Sequence, residues 1–435
     1  MKHFYFRPAF LPGIDEVELE EEEALVTSFS WLKTLHLRTP KPSLEGGAPS
    51  ATSGGDVLQQ AADAMALCPN LCEFTLILHD HFITAALRKF LTTFLRTMGK
   101  NLQKVTISTT IAKIPDILGS ISASTSDGLN LASMDLTISD SRFKASQDGG
   151  AKIAATRAIV ATVHRFKGTL NHLVLSSTNF DYDMSPLLKD LGFLPKLSKF
   201  EIWLFVADKT LSNNGDGLTT FLGSNAESIE HILIRPRPKV ETFNPPQNRY
   251  TEWLTTGFSQ LCLPRVHTLD LGLLINWGHT YYPDIQETQL PELTSILPNL
   301  RSLDVSALLL STKGLKYVLE MAGPGLQELG CHIDTFGIEA LDMLVQMEPN
   351  LLRLKLTYNS FNRLADVIGA RRYPTWPLSY LRLRQRDWGC GYGHPDEFVS
   401  RIVKETVVSS NVEVDLYGEC MCDGIHFKLP DSVFL

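Results

Sequence analysis

The segment Leu351-Leu-Arg-Leu354-Lys-Leu356 is one of five copies of a short phrase found between Leu263 and Leu383. The other copies are Val266-His-Thr-Leu269-Asp-Leu271, Leu300-Arg-Ser-Leu303-Asp-Val305, Leu326-Gln-Glu-Leu329-Gly-Cys331 and Leu378-Ser-Tyr-Leu381-Arg-Leu383. The first residues of successive copies are 34, 26, 25 and 27 positions apart. Each copy has an apolar anchor followed by the two-residue alternation of a strand. A strand this short cannot bury its own apolar face, so the repetition predicts a solenoid in which neighbouring copies stack.

Earlier copies of the same phrase run back toward the N-terminus. Their apolar positions are Leu32/Leu35/Leu37, Leu71/Phe74/Leu76, Leu102/Val105/Ile107, Leu131/Met134/Leu136, Leu170/Leu173/Leu175, Leu197/Phe200/Ile202 and Ile229/Ile232/Ile234. With the five above they make 12 copies, and Val412-Glu-Val414-Asp-Leu416 has the form of a degenerate last one. Pairs such as Pro69-Asn70 precede several copies. Because proline ends a helix, these pairs predict a junction from helix to strand.

Segments between the copies have the spacing of amphipathic helices. The predicted apolar stripes are Leu87, Phe90, Leu91, Phe94 and Leu95 in residues 82–98, and Ile153, Ile159, Val160 and Val163 in residues 151–166. Residues 57–67 are Ala-rich with similar spacing. Residues 40–56, 235–250 and 276–292 predict loops, because Gly, Pro and polar residues interrupt the pattern there. Strands that alternate with helices predict an α/β fold with a parallel sheet.

The repeated phrase also carries a family resemblance. The chain resembles leucine-rich-repeat proteins of the ribonuclease-inhibitor-like kind, and its Pro-Asn-Leu-x-x-Leu-x-Leu wording is similar to the repeat arrays of fungal F-box/leucine-rich-repeat proteins. The resemblance covers residues 31–416, and the Asn position of the full pattern is met at Asn359. It implies an α/β leucine-rich-repeat solenoid, or horseshoe, with a parallel sheet on the concave side and helices on the convex side.

The expected organisation has three parts. Residues 1–30 form an acidic N-terminal cap or tail, residues 31–417 a solenoid of about 12–13 repeats, and residues 418–435 a C-terminal tail. Seven carboxylates between Ile14 and Ala24 fit a solvated cap, or alternatively a docking tail for a basic partner. An F-box is not recognised in these first residues, because the Glu-rich run lacks the apolar positions of its helical core.

Composition and leader signals narrow the class of protein. A net charge of -8 over 435 residues disfavours general nucleic-acid binding, which needs a basic surface. The N-terminal residues lack an apolar signal core, and no run approaches the roughly 18 apolar residues of a membrane span. The chain has no Asn-x-Ser/Thr sequon, and its seven cysteines are an odd number. These features predict a cytoplasmic or nuclear protein with reduced thiols and no membrane partner.

The strand register predicts a binding surface. If the apolar positions face the core, the residues between them project onto the concave face. The candidate binding residues there are Trp203, Asp270, Asp304, Arg353, Lys355, Arg382, Arg384 and Arg386. Aromatic residues Trp277, Tyr281 and Tyr282 in a loop add a candidate rim contact. This face is expected to be acidic near Asp270 and Asp304 and basic toward the C-terminus.

Two interpretations of the basic C-terminal part of the concave face remain open. Neighbouring like charges cost stability, so the arginines require a compensating group. An acidic or phosphorylated peptide would supply it from outside, through bidentate contacts to arginine. Alternatively Asp387, Glu413 and Asp415 would supply it from within the chain.

Catalytic and metal-binding motifs are weak. A Walker A loop, a His-Glu-x-x-His helix and a Gly-x-Ser-x-Gly elbow are all absent from the sequence. Cys420, Cys422 and His426 do not match a standard zinc spacing, and Cys331 occupies an apolar strand position. We therefore predict no catalytic residue, no cofactor and no metal ion.

The leading functional hypothesis is a non-catalytic scaffold for protein–protein interaction. The resemblance implies the target-recognition module of an F-box-like ubiquitin-ligase substrate receptor, with a Skp1-type adaptor as partner only if an F-box is missing from this chain. The alternative is an enzyme or regulator with a ligand site on the concave face. A weaker alternative is an RNA-binding solenoid that uses Arg382 to Arg386.

Overall fold

A computed structural model gives the architecture of the chain. It describes residues 4–6, 34–38, 71–78, 85–98, 101–124, 130–139, 149–178, 182–205, 209–237, 249–271, 290–361, 373, 375–385 and 413–418. The chain divides into two compact units. The first unit is Met1–Leu204 with Asp208–Thr210, and the second is Phe205–Ala207 with Leu211–Leu435.

The first unit alternates parallel strands with helices. Its strands are β1 (Phe4–Phe6), β2 (Thr34–Arg38), β3 (Glu73–Ile77), β4 (Lys104–Thr110), β5 (Ser133–Ser139), β6 (His172–Ser177) and β7 (Lys199–Phe205), whose last residue belongs to the second unit. Its helices are α1 (Ala85–Met98), α2 (Ile114–Ser124), α3 (Gly149–Arg165) and α4 (Ser185–Leu191), and a 3-10 turn lies at Ile111–Lys113. Each strand pairs with the next one along the chain, always in parallel.

The second unit repeats this arrangement. Its strands are β8 (His231–Arg237), β9 (Thr268–Asp270), β10 (Ser302–Leu310), β11 (Glu328–Phe336), β12 (Arg353–Phe361), β13 (Tyr380–Gln385) and β14 (Glu413–Gly418). Its helices are α5 (Asp216–Ser224), α6 (Arg249–Thr256), α7 (Leu293–Ile296), α8 (Thr312–Ala322) and α9 (Ile338–Met347), and 3-10 turns lie at Asn213–Gly215 and Phe258–Gln260. A further 3-10 turn is Lys209–Leu211. Strands β8 to β14 also pair in chain order and in parallel.

All the strands predicted from the repeated phrase are confirmed, including the degenerate last copy, which forms β14. The sequence did not predict β1, because Phe4–Phe6 lacks the leading anchor of the phrase. The fold is therefore α/β with parallel strands and helices between them, as in a solenoid.

Burial along the strands follows the predicted alternation. In β5, Met134, Leu136 and Ile138 are fully buried, whereas the side chains between them are half-exposed. The apolar side chains form the core with the helices, and the alternate side chains form the other face of the sheet. We call that second face the polar sheet face, separately in each unit.

A repeated backbone contact explains the two variable residues of the phrase. In the first unit, the N–H groups of Gln103 and Lys104 both donate to the carbonyl of Cys72, at 2.8 and 3.0 Å. In the second unit, Leu352 and Arg353 donate in the same way to Gln327, at 2.8 and 3.0 Å. The same contact starts β4 to β7 in the first unit and β9 to β13 in the second, so each of these strands begins at a position set by a carbonyl oxygen of the preceding repeat.

The helices confirm part of the predicted stripes. In α1, Leu87, Phe90, Leu91 and Phe94 are buried as predicted. In α3 the prediction for Ile153 is wrong, because that side chain is 56% exposed. The buried residues of α3 are Ala155, Ile159, Thr162 and Val163, which share one helical face, and Ile153 lies on the opposite one. The predicted helix at residues 57–67 lies outside the described residues.

Among the described helices, none combines the length and the apolar character needed to cross a membrane.

Candidate functional site

The polar sheet face of the first unit has a cluster of ionisable side chains at its centre. Register places Asp135 of β5 beside Val174 of β6, and Val174 beside Glu201 of β7. Two carboxylates therefore flank an apolar residue that is 7% exposed. Trp203, two positions beyond Glu201, donates its indole N–H to Glu201 Oε1 at 2.7 Å. This contact fixes the predicted binding residue Trp203 against Glu201.

The Asp135 carboxyl is electrostatically unusual. Burial, followed by the nearby Glu201 charge, raises its pKa from 3.8 to about 6, although Lys104 acts in the opposite direction. A pKa this high means that the positive charge near the Asp135 carboxyl does not offset the effects of burial and of Glu201. Groups with strongly shifted pKa values concentrate at functional sites, so the cluster is a candidate contact point for a partner.

His172 adds the opposite shift in the same cluster. Burial, followed by the Lys199 charge, lowers its pKa from 6.5 to about 4, so the imidazole is neutral at physiological pH. Its Nδ1 lies 3.1 Å from Ser133 Oγ, in hydrogen-bond contact. Within the described part of the chain its Nε2 is buried and has no hydrogen-bond partner. A serine–histidine pair without an orienting third group on the other ring nitrogen does not complete a nucleophilic triad.

The second unit pairs one of the predicted acidic residues internally. Asp270 at the end of β9 accepts from the guanidinium of Arg235, with 3.0 Å between Oδ2 and Nη2. The two side chains are 13% and 19% exposed, respectively. Asp270 is therefore part of a largely buried ion pair that joins β8 to β9.

Asp304, the other predicted acidic residue, lies beside a glycine at a break in the sheet. Register aligns Asp304 with Asp270 on one side and with Gly330 on the other. The pairing of β10 with β11 then shifts, so that Leu309 rather than Ser306 pairs with His332. In this bulge the backbone N–H of Ser306 turns back and donates to Asp304 Oδ1 at 2.9 Å, and the Ser306 hydroxyl contacts the same oxygen. Bulges of this kind redirect side chains, and here the redirected group is the Asp304 carboxylate.

The predicted basic residues fall into two rows of the second unit. Lys355 of β12 is the register neighbour of Arg382 of β13, which in turn aligns with Asp415 of β14. Arg384 lies two residues further along β13, between Thr357 and Tyr417. Lys355 is exposed, and Arg382 and Arg384 are half-buried.

Arg353, the fourth predicted cation, has its own contacts. Its Nε lies 3.4 Å from Glu328 Oε1 on β11, and its guanidinium carbon lies 4.9 Å from the ring centroid of Tyr380 on β13. The Arg353 side chain is 48% exposed, so the ion pair contributes little to stability. The ion pair and the ring contact together link Arg353 on β12 to Glu328 on β11 and to Tyr380 on β13.

Several predicted residues lie outside the part of the chain that the structure describes. They are Arg386 on the sheet face, the loop aromatics Trp277, Tyr281 and Tyr282, the compensating Asp387, and the cysteine–histidine set Cys420, Cys422 and His426. The side chains of Glu413 and Asp415 belong to the same group, although their backbone pairing is described.

The sequence reasoning did not single out Asp135, His172 or the histidines at the start of β8 and β9. A usable signal was present, because aligning the copies of the phrase places His172 and Lys199 at equivalent positions of neighbouring repeats. The repeated phrase gives no information about the burial that shifts the pKa values of Asp135 and His172.

Comparison with known proteins gives no assignment for these residues, since neither a family model nor a curated protein matches the chain.

Proposed function

We propose that this chain is a non-catalytic scaffold of the leucine-rich-repeat class, which binds a protein partner on its polar sheet face. The repeated phrase, the parallel pairing in chain order and the alternating burial support that class. Most of the strands from β3 to β13 contribute two or more partly exposed polar positions to the face, although β6 and β11 contribute fewer, and a row of such positions suits an extended peptide. Free thiols at Cys262 and Cys331 agree with a cytoplasmic or nuclear location.

The partner segment that we propose for the second unit is acidic or phosphorylated. The observation that carries this proposal is the register of Lys355 with Arg382, which puts two basic residues side by side on neighbouring strands, whose backbones lie about 5 Å apart. Like charges at directly opposite positions repel, and a carboxylate or phosphate between them would remove the repulsion. Asp415 aligns with Arg382 on its other side and is the competing source of that negative charge.

A charge-reversal experiment separates the external ligand from the internal one. Arg382→Glu with Arg384→Glu should lower the affinity for a phosphorylated acidic peptide array at least about tenfold, because attraction becomes repulsion at both positions. The matched control is Lys313→Glu with Lys316→Glu on α8, which changes the net charge by the same amount away from the face. Equal peptide binding by the two double variants would exclude the basic rows as the site.

The substrate-receptor role implied by the resemblance belongs to the same proposal. It requires that the protein bring its partner to a ligase, so the full chain should capture a Skp1-type adaptor directly or through another subunit. Failure of adaptor capture would remove this role and leave peptide binding by the scaffold intact.

A further inference from the structure

A second cluster of ionisable side chains lies at the start of β8 and β9, away from the basic rows. It consists of Glu230, which precedes β8, His231, which begins it, and His267, which precedes β9. One ligand atom from each residue lies within 4.8 Å of the other two. All three side chains are partly exposed, so an ion can reach them from solvent. We call these three residues the His–His–Glu cluster.

The repeat geometry holds the backbone of the cluster in place. The carbonyl of Glu230 is the oxygen that receives the first N–H groups of the next repeat, and His267 donates to it at 3.0 Å. Register then places His231 beside Thr268, the residue after His267. The two imidazole rings meet edge to face, with centroids 4.5 Å apart and an interplanar angle of 84°. The backbone of His231 is therefore held by the pairing of β8 with β9, and that of Glu230 and His267 by the hydrogen bond that precedes this pairing.

Outer contacts orient two of the three ligands. Thr268 Oγ1 lies 3.2 Å from Nδ1 of His267, which directs the other ring nitrogen, Nε2, toward Glu230. That Nε2 is 3.9 Å from Glu230 Oε2. Arg265 Nη2 donates to the other oxygen, Glu230 Oε1, at 3.1 Å. Metal-binding histidines and carboxylates are commonly held in this way by hydrogen bonds on their far side.

We propose that Glu230, His231 and His267 form a site for a divalent transition-metal ion, with Zn²⁺ as the expected occupant. Two imidazole nitrogens and one carboxylate oxygen are a ligand set that zinc accepts, whereas Ca²⁺ and Mg²⁺ prefer oxygen ligands alone. Metal–ligand distances of about 2.0–2.1 Å place the ligand atoms of a tetrahedral site about 3.3 Å apart. The ligand atoms lie within 4.8 Å of one another, so side-chain rotations that bring them closer by up to about 1.5 Å give that spacing. Three protein ligands leave a fourth position for water or for a group of a partner.

The charge of Arg265 determines in which direction its removal should change the affinity for Zn²⁺. Its guanidinium is bound to the carboxylate that would also bind the ion, so its positive charge opposes metal binding. Arg265→Gln removes that charge, and its side-chain amide can still donate to Glu230 and keep the carboxylate oriented, so the affinity for Zn²⁺ should increase, by about fivefold for an interaction of about 1 kcal/mol across a solvated site. A purely structural cluster would respond to the loss of Arg265 with lower stability and with no gain in metal affinity.

The test uses the full chain after treatment with a chelator. Zn²⁺ affinity is measured by competition with a chromophoric chelator, and Co²⁺ absorption in the visible range reports the coordination geometry. Measurements are made in a Cys420→Ser, Cys422→Ser background, which removes the closely spaced thiol pair near the C-terminal end of the sequence. The matched control for histidine loss is His164→Gln, an exposed histidine at the end of α3.

The expected results differ for each variant. His231→Gln with His267→Gln should weaken Zn²⁺ binding at least about tenfold, since loss of an outer contact alone costs that much. Arg265→Gln should tighten binding, and His164→Gln should leave it unchanged. Circular dichroism confirms that each variant is folded, and Glu230→Gln replaces the double histidine variant if that one unfolds. Unchanged affinity on loss of the cluster ligands, or zinc binding that disappears with Cys420 and Cys422, would overturn the proposal.

Discussion

The carboxylate of Asp304 on β10 lies against the Cα of Gly330 on β11, its neighbour in register. A methyl group added at Gly330 would be 2.6 Å from Asp304 Oδ2. The carboxylate cannot move away freely, because Ser306 holds its other oxygen. The absence of a side chain at Gly330 is therefore what accommodates the redirected aspartate on the polar sheet face.

We expect Gly330→Ala to lower the free energy of unfolding by about 1–2 kcal/mol, because the added methyl group overpacks this contact. In an Asp304→Ala background the same change should be neutral, or stabilising by roughly 0.5 kcal/mol, because alanine loses less backbone entropy than glycine. Urea denaturation of the four proteins in a double-mutant cycle measures the coupling. Additive effects would show that the two residues do not interact.

Glu348 should make stability depend on pH near neutrality. Its side chain is 1% exposed, and burial raises its pKa from 4.5 to about 7, although Leu326 N–H donates to Oε2 at 3.2 Å. The folded state therefore holds a proton that the unfolded state releases between these values. The stabilisation is complete below about pH 4.5 and is lost as the pH rises through about 7, by about 2–3 kcal/mol.

Glu348→Gln should abolish this part of the pH dependence, because the amide oxygen still accepts from Leu326 and carries no charge. Denaturation midpoints measured from pH 4.5 to pH 8 give the slope for both proteins. Parallel slopes would mean that the Glu348 carboxylate is ionised without penalty in the folded state.

Asp135 and His172 should contribute opposite slopes in the acidic range. The raised pKa of Asp135 gives stability below pH 3.8 that is lost as the pH rises through about 6. The lowered pKa of His172 gives stability above pH 6.5 that is lost as the pH falls through about 4. Asp135→Asn should therefore steepen the rise of stability with pH between about 4 and 6, and His172→Gln should reverse it. Thermal unfolding midpoints across this range distinguish the two, and identical profiles would contradict both shifts.

Replacing only one partner of the Arg235–Asp270 ion pair should lower the free energy of unfolding. Arg235→Met leaves a carboxylate that is only 13% exposed without its guanidinium, so we expect a loss of about 2–3 kcal/mol. Arg235→Met combined with Asp270→Leu should recover most of that loss, because an apolar pair needs no compensating charge. Equilibrium unfolding measures both. A single variant as stable as the wild type would show that solvent screens the pair.

Helix α3 offers a matched pair of isoleucines for the packing of the core. Ile159 is fully buried and Ile153 is 56% exposed, in the same helix. Ile159→Ala should cost about 2–4 kcal/mol, whereas Ile153→Ala should change stability by less than about 0.5 kcal/mol. Denaturant titration of the two variants tests the assignment, and equal losses would contradict the orientation of α3.

The repeated phrase was sufficient to predict the strands because it contains both the anchor and the alternation that a parallel strand needs. The helical spacing of apolar residues gave a partly wrong prediction for α3, because Ile153 and Val160 share a helical face that Ile159 and Val163 do not. The spacing suggested a single stripe, but packing selects the face of Ala155 and Ile159.

The candidate surface was less predictable for a different reason. Register from one repeat to the next could be inferred from the phrase, and with it the adjacency of Lys355 and Arg382. The bulge in β10 and the resulting position of Asp304 over Gly330 depend on three extra residues, and the simple phrase gives no sign of them. The Arg235–Asp270 ion pair likewise depends on side-chain reach between strands.

At the start of β4 to β7 and of β9 to β13, one carbonyl receives two N–H groups, so the placement of the strand does not depend on the length of the connection before it. Spacings of 25 and 34 residues lead to the same register, so a connecting segment can be lengthened, shortened or replaced without displacing the side chains of the sheet face. Connections of this chain are thus suitable positions for grafting peptides or labels.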